Sequence, residues 1–284
     1  MPRLAVLGQP ISHSRSPAMQ NAALAELGLA DQWSYEAIEV APEDFPDRVR
    51  SLGDEGFAGV NVTVPHKLAA LAVAHRASTA ASAIGAANTL TFTDAGIEAE
   101  NTDAGGLIAA LPEPPGGRRA LVLGAGGSAR AAVWALGNAG ASVSVWNRTA
   151  ARAEALAAEL GVAHERGGVG GQPLPLSDYD LLVNCTTVGL GAAGAATTPS
   201  ADLSPLPLRA DSLQATQIVV DLAYGSSATP LIAAASSRGA RVVEGLEVLV
   251  HQGAASLRIW TGLDAPLETM RRAARGSRTA DGTG

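Results

Sequence analysis

Apolar positions along this chain alternate between two rhythms, one of short uninterrupted runs and one of helical spacing. Residues 3–7 read as a strand that stops at Gly8. Pro17 opens a helix-period segment lasting to about Gly28, and Tyr35 to Val40 reads as the next strand. A helix follows Pro42, and Phe57 to Val64 alternates as a strand does. Thr89 to Glu100 reads as a hairpin turning at Asp94-Ala95-Gly96, and Asp103 to Leu111 as a helix. Pro112-Glu113-Pro114-Pro115-Gly116-Gly117 then breaks every period and is the clearest linker in the chain. Past it, Arg119–Leu123 and Ser142–Trp146 read as strands, and Ser128–Ala139 and Thr149–Leu160 as helices. Leu181–Asn184 and Ile218–Leu222 are apolar enough for buried parallel strands. Residues 189–216 read as an exposed loop, the last helices as Leu246–Thr261 and Ala265–Arg275, and the tail after Gly276 as disordered. Strands alternating with helices on both sides of a linker predict a two-domain α/β protein.

Composition narrows the class. The chain has 284 residues, 47% of them hydrophobic, enough for packed cores in two domains. Its formal charge of −7 opposes a general affinity for nucleic acid, which needs a basic surface. No apolar run approaches the ~18–20 residues of a membrane span, and the first apolar run is too short for a signal peptide. The lone Cys185 excludes an intrachain disulfide and a multi-cysteine metal site. These features predict a cytoplasmic protein whose partner is a small molecule, neither a nucleic acid nor a membrane. One count is sharper. Of the 20 Lys and Arg residues, 19 are Arg and the single lysine is Lys67. A chain that uses Arg wherever positive charge suffices has kept, at one position, a compact amine able to release and take up a proton.

Strand 119–123 runs into Gly124-Ala125-Gly126-Gly127-Ser128-Ala129 and then a helix. Glycines in that context permit a tight turn and let a pyrophosphate sit on the helix N-terminus, as in a Rossmann-type dinucleotide site. The next strand ends in Asn147-Arg148-Thr149, with Arg152 one turn on, where an NAD site usually carries Asp or Glu. Guanidinium groups there suit a 2′-phosphate, so the expected cofactor is NADP(H).

The first domain carries its polar residues in clusters at strand ends. Ser14-Arg15-Ser16-Pro17 follows the first strand, Asn61-Val62-Thr63-Val64-Pro65-His66-Lys67 ends another, and Asn88, Asn101, Thr102 and Asp103 bracket the hairpin. Strand ends in open α/β sheets are where ligands bind, and hydroxyls and amides suit a polyhydroxylated ligand. His13, His66 and His251 neighbour these clusters without metal-ligand spacing, so no metal is expected. Cys185, after a buried strand, reads as a small core residue.

These clusters, with Gly85-Ala86-Ala87-Asn88-Thr89, the glycine turn and Asn147-Arg148-Thr149, hold an order and spacing that resembles the shikimate dehydrogenases from residue 3 to about 270. The resemblance implies a substrate-binding and catalytic domain of residues 1–111 with 245–284, and a Rossmann-type NADP-binding domain of residues 112–244. It implies NADPH-dependent reduction of 3-dehydroshikimate to shikimate, with Lys67 as proton carrier and Asp103 positioning it. By the same matching Ser14, Ser16, Thr63, Asn88, Tyr224 and Gln252 contact the substrate, and Leu222 and Gly245 face the nicotinamide. Two serines at 14 and 16 are of the shikimate type, since relatives accepting quinate tend to carry Thr at the second. Glu247 and Val248 stand where Gly and Met are usual, which predicts altered nicotinamide packing, and Ser226 stands where Pro is common. Two other readings fit the pattern: a quinate/shikimate dehydrogenase using NAD, and a ligand-binding paralogue without turnover. The chain is expected to act as a monomer or homodimer.

Overall fold

The computed structural model describes residues 2–167, 173–190, 203–225 and 227–276. It contains two six-stranded sheets. The first is built from β1 (Arg3–Gly8), β2 (Ser34–Glu39), β3 (Phe57–Val62), β4 (Arg76–Ala77), β5 (Thr89–Thr93) and β6 (Gly96–Glu100). Their order across the sheet is β2-β1-β3-β5-β6-β4. The sheet is mixed because the hairpin reverses the chain: β3 pairs with β5 and β5 with β6 antiparallel, while β1 pairs parallel with β2 and β3. Helices α1 (Ser16–Glu26), α2 (Phe45–Asp54), α3 (Lys67–Ala72) and α4 (Thr79–Ile84) connect these strands, and α5 (Thr102–Ala110) leads from β6 to the second sheet.

The second sheet comprises β7 (Arg119–Leu123), β8 (Ser142–Trp146), β9 (Ala163–His164), β10 (Leu181–Asn184), β11 (Ile218–Asp221) and β12 (Arg241–Glu244). Every pairing in it is parallel, in the order β12-β11-β10-β7-β8-β9. The chain steps outward from β7 to β9, then restarts at β10 on the other side, so the order reverses between β7 and β10. That switch point opens the crevice in which doubly wound folds bind ligands. Helices α6 (Gly127–Asn138), α7 (Ala150–Leu160) and α8 (Pro230–Ser237) belong to this half.

Two final helices, α9 (Gly245–Thr261) and α10 (Leu267–Arg275), leave the second sheet and return to the first. Leu246, Val250 and Leu257 of α9 and Met270 of α10 pack with Leu4, Met19, Leu24 and Tyr35 in one core. Burying such side chains contributes roughly 1.5–3 kcal/mol each. The two halves also share a small core, in which Ile84, Ala86 and Ala104 meet Ala131 and Ala135 of α6. Arg130 on α6 donates through Nε to the carbonyl of Ile84 at 2.7 Å, so the helix after the glycine turn is fixed to the first half.

The hairpin turns where its sequence says, and most elements begin and end within a few residues of their expected limits. One expectation changes. Of the predicted exposed loop 189–216, residues 191–202 lie outside the described residues, but Leu206, Leu208 and Leu213 are buried in the second half's core beside Leu182 and Val219. Prolines and small polar residues interrupt their spacing and hide it from periodicity. Ser226 and the tail after Gly276 also lie outside the described residues. Among the described residues no helix is long and apolar enough to cross a membrane.

Candidate active site

The functional residues stand in the segments at the strand ends and in helix α9. The chain after β1 places Ser14 and Ser16, with the Ser14 hydroxyl accepting from the Ser16 amide at 3.3 Å and Pro17 starting α1. After β3, the Thr63 amide donates to the Leu7 carbonyl at 2.8 Å, which holds the turn into α3. His66, just before Lys67, is buried, stacks on Phe45 with ring centroids 4.4 Å apart and bonds the Val40 carbonyl at 2.8 Å. Burial holds the imidazole below its ordinary pKa. These contacts anchor the start of α3 and so the root of Lys67. Asn101 caps α5 by accepting from the Ala104 amide, which sets Asp103 in the helix's first turn.

Lys67 and Asp103 meet as a largely buried ion pair, Nζ to Oδ2 2.5 Å. The other carboxylate oxygen, Oδ1, accepts from Asn88 Nδ2 at 3.0 Å. Asn88 is only 1% exposed, and its amide also donates to Gln252 Oε1 at 3.0 Å while its carbonyl accepts from the Thr102 amide at 2.7 Å. It therefore orients Asp103 and Gln252 together. Ser14, Ser16, Thr63, Lys67, Asn88, Asp103, Tyr224 and Gln252 all line one cavity of about 420 Å³, with Leu222 and Gly245 in its wall. Burial raises the Tyr224 hydroxyl above the ordinary phenol pKa.

A second cavity of about 420 Å³ adjoins the first, and Lys67, Ser128, Cys185, Thr186 and Thr187 line both. Gly124 to Ser128 form its floor, and Asn147, Arg148, Thr149 and Arg152 its far end. Gly124 sits at φ +118°, a conformation that favours glycine, and no side chain caps the N-terminus of α6. Its first amides are therefore free for an anion. Arg148 and Arg152 are exposed, and among the described residues neither has an ion-pair partner. No carboxylate stands among residues 147–152 after β8, so the residues present fit a dinucleotide carrying a 2′-phosphate.

Some sequence-derived residues land elsewhere. Ala129 is fully buried among Leu107, Ala132 and Val133, so its side chain packs the core and lines neither cavity. Glu247 turns away from both cavities to pair with Arg271 and Arg275 of α10, so this departure is matched on the neighbouring helix and its side chain does not pack against the cleft. Val248, its neighbour, does line the first cavity. Cys185 is more than a core residue, since it lines both cavities, although burial raises its thiol pKa and keeps it protonated. Sequence reasoning missed Asp221 at the end of β11 with its partners Asn184 and Thr229, and Ser256, which bonds Asn61 beneath the first cavity. The one available signal was a polar residue closing each apolar run at 184 and 221.

An acid–base pair standing where a polar cavity meets a dinucleotide crevice is the arrangement of a two-domain nicotinamide-dependent oxidoreductase. Residues 6–90 match the shikimate dehydrogenase substrate-binding domain, residues 113–194 the shikimate/quinate 5-dehydrogenase family and residues 245–275 the shikimate 5′-dehydrogenase C-terminal domain. The chain is 42% identical over 279 residues to shikimate dehydrogenase (NADP(+)) of Methanopyrus kandleri, covering 94% of this chain and 93% of the relative. It is 44% identical over 282 residues to the same enzyme of an Anaeromyxobacter species, covering 94% of each. The crystal structure of shikimate 5-dehydrogenase from Thermus thermophilus with NADP(H) and shikimate superposes with a TM-score of 0.84 at 42% identity, over 97% of this chain and 99% of that one. The chain belongs to the shikimate dehydrogenase family.

Proposed function

We propose that this chain catalyses the NADP(H)-dependent interconversion of 3-dehydroshikimate and shikimate, the reductive direction serving aromatic amino-acid biosynthesis. The observation that carries this reading is the Lys67–Asp103 pair, held at 2.5 Å where the two cavities join. Reduction of a ketone adds a hydride to carbon and a proton to oxygen, and NADPH, when bound, supplies the hydride. Lys67 supplies the proton as the oxygen gains charge, and its positive charge stabilises that oxygen before the transfer. Asp103 fixes the amine through Oδ2 while Asn88 fixes Asp103 through Oδ1. In oxidation the same amine, now neutral, takes the proton back. Arginine, always charged, performs neither step.

Ser14, Ser16, Thr63, Tyr224 and Gln252 present hydroxyls and an amide to the substrate's carboxylate and hydroxyl groups. On the coenzyme side, the Gly124–Ser128 turn receives the pyrophosphate, Asn147, Arg148, Thr149 and Arg152 the 2′-phosphate, and Leu222 and Gly245 the nicotinamide side. We assign residues 1–111 and 245–284 to the substrate-binding and catalytic domain and 112–244 to the coenzyme domain. The protein is read as a cytoplasmic enzyme, monomeric or homodimeric, acting without nucleic acid or membrane.

The test is reduced-coenzyme formation by the purified protein, NADPH from NADP⁺ and NADH from NAD⁺, with shikimate and with quinate. Turnover of shikimate with NADP⁺ far above NAD⁺ is the expected result. Preference for NAD⁺, or quinate turned over as fast as shikimate, would move the protein to the quinate/shikimate branch. Binding of shikimate without any turnover would make it a sensor.

A further inference from the structure

The glycine turn divides its glycines between two tasks. A side chain at Gly126 would meet no atom within 4 Å, which leaves open space on the coenzyme side. A Cβ at Gly127 would instead stand 2.6 Å from Lys67 Cβ and 3.1 Å from its Cδ, so that residue is small to let the turn lie on the lysine's stem. The next residue, Ser128, reaches the head of the same side chain: Lys67 Nζ donates to Ser128 Oγ at 2.9 Å.

An ammonium group has three N–H donors. Asp103 takes one at 2.5 Å and Ser128 the second, and Lys67 has no further side-chain partner among the described residues. One bond leaves an ammonium free to rotate, whereas two bonds from opposite walls fix it and with it the third N–H. We propose that Ser128 is a positioning residue for proton transfer: its hydroxyl, carried on the coenzyme-binding helix, sets the rotation of the Lys67 ammonium so that the remaining N–H addresses the substrate oxygen. The inference rests on the reading of Lys67 as the proton carrier.

A hydroxyl suits this position in both directions of reaction. It accepts one N–H of the ammonium before transfer and the same N–H of the neutral amine afterwards, so the lone pair left by the transferred proton stays aimed at the substrate oxygen. Nζ therefore keeps its place for the reverse step. Because α6 is also fixed to the first half through Arg130 and the Ala131 and Ala135 contacts, the hydroxyl is delivered by a rigid element.

The experiment compares wild type, Ser128→Ala and Ser128→Thr in shikimate oxidation with NADP⁺ across the range in which an amine titrates. NADPH affinity is measured by fluorescence titration, and the thermal midpoint is recorded for each. In Ser128→Ala we expect kcat to fall roughly tenfold to a hundredfold, as for loss of a charge-assisted hydrogen bond. The acid limb of its pH–rate profile moves to lower pH, because the charged amine has lost an acceptor. NADPH affinity stays within about twofold. Ser128→Thr, which keeps the hydroxyl, recovers both the rate and the profile. The proposal is overturned by a Ser128→Ala rate and profile equal to wild type, by a loss confined to NADPH affinity, or by Ser128→Thr behaving as the alanine variant does. An inactive wild type would overturn the parent reading instead, so the two failures are distinguishable.

Discussion

Polar side chains pave both walls of the cleft, but the walls bury different kinds of group. Beneath the first cavity the network is neutral. Tyr35 donates to Asn61 at 2.7 Å, Asn61 Nδ2 to Ser256 at 2.9 Å, and the Ser256 hydroxyl, which lies 2.8 Å from that of Thr89, donates to the Gln252 carbonyl. Among the described residues charge enters it only at the rim, as the Lys67–Asp103 pair, where each ion has its counterion. In the second sheet, where β10 and β11 end, the centre is a carboxylate. Asp221 accepts from Asn184 at 2.8 Å, from the Ala223 amide at 3.1 Å and from Thr229, while Asn184 in turn accepts from the hydroxyl and amide of Thr186. Among the described residues three donors and no cation surround it, and burial pushes its pKa up to about 6. Each network ties loops together, but only the second makes that tie depend on pH.

The largest effect tests the charged rim of the first wall. Lys67→Ala should lower turnover by about a thousandfold or more, the upper range for loss of a general acid–base group, with NADPH binding retained. Lys67→Arg keeps the charge and should be nearly as inactive. Comparable turnover in the arginine variant would mean that charge, not proton transfer, is what position 67 contributes. Next comes the carboxylate of the second wall. Asp221 titrates from 3.8 unfolded to about 6 folded, so the folded state binds the extra proton in that window. Its neutral form favours folding at low pH, and that advantage is lost as pH rises to about 6. The cost at neutral pH is about 3 kcal/mol. Thermal midpoints of wild type and Asp221→Asn should therefore diverge in the variant's favour between about pH 4 and about pH 7. A constant difference across that range would show that Asp221 holds no buried charge.

What was legible in the sequence follows the range of the interactions. The glycine turn, the hairpin and the proline linker are local and could be read in place. Lys67 stood out because one lysine among 20 basic residues is itself a signal. The second wall was hidden because Asn184 and Asp221, which bond each other, are 37 positions apart, and each alone resembles the end of a strand. Ser256 and Asn61 are 195 positions apart, and a serine inside a long helix announces nothing. Glu247 misled for the same reason: its partners Arg271 and Arg275 lie on another helix, so sequence showed a charge beside the nicotinamide side and structure shows an ion pair facing elsewhere. The short helix α4 went unread because Thr-Ala-Ala-Ser-Ala-Ile has too little contrast between its faces to carry a period.

Two smaller effects sharpen the comparison. Replacing Arg148 and Arg152 together by Ala should weaken the preference for NADP⁺ over NAD⁺ roughly tenfold, with the effect shrinking at high salt because both side chains are exposed. An unchanged preference would place the 2′-phosphate elsewhere. The smallest effect belongs to the neutral network. Ser256→Ala removes one hydroxyl from a buried cluster in which Asn61 keeps its bonds to the Asn88 carbonyl and Thr89, so the loss should be about 1 kcal/mol. No group it touches titrates near neutrality, so the loss should be the same at about pH 5 and at about pH 8. If the Ser256→Ala deficit grew or vanished between those values, as that of Asp221→Asn should, a charge would have to reside in the first wall beyond Lys67 and Asp103. The contrast between the walls would then be one of degree, and the uncharged chain from Tyr35 to Gln252 could no longer account for the first wall's insensitivity to pH.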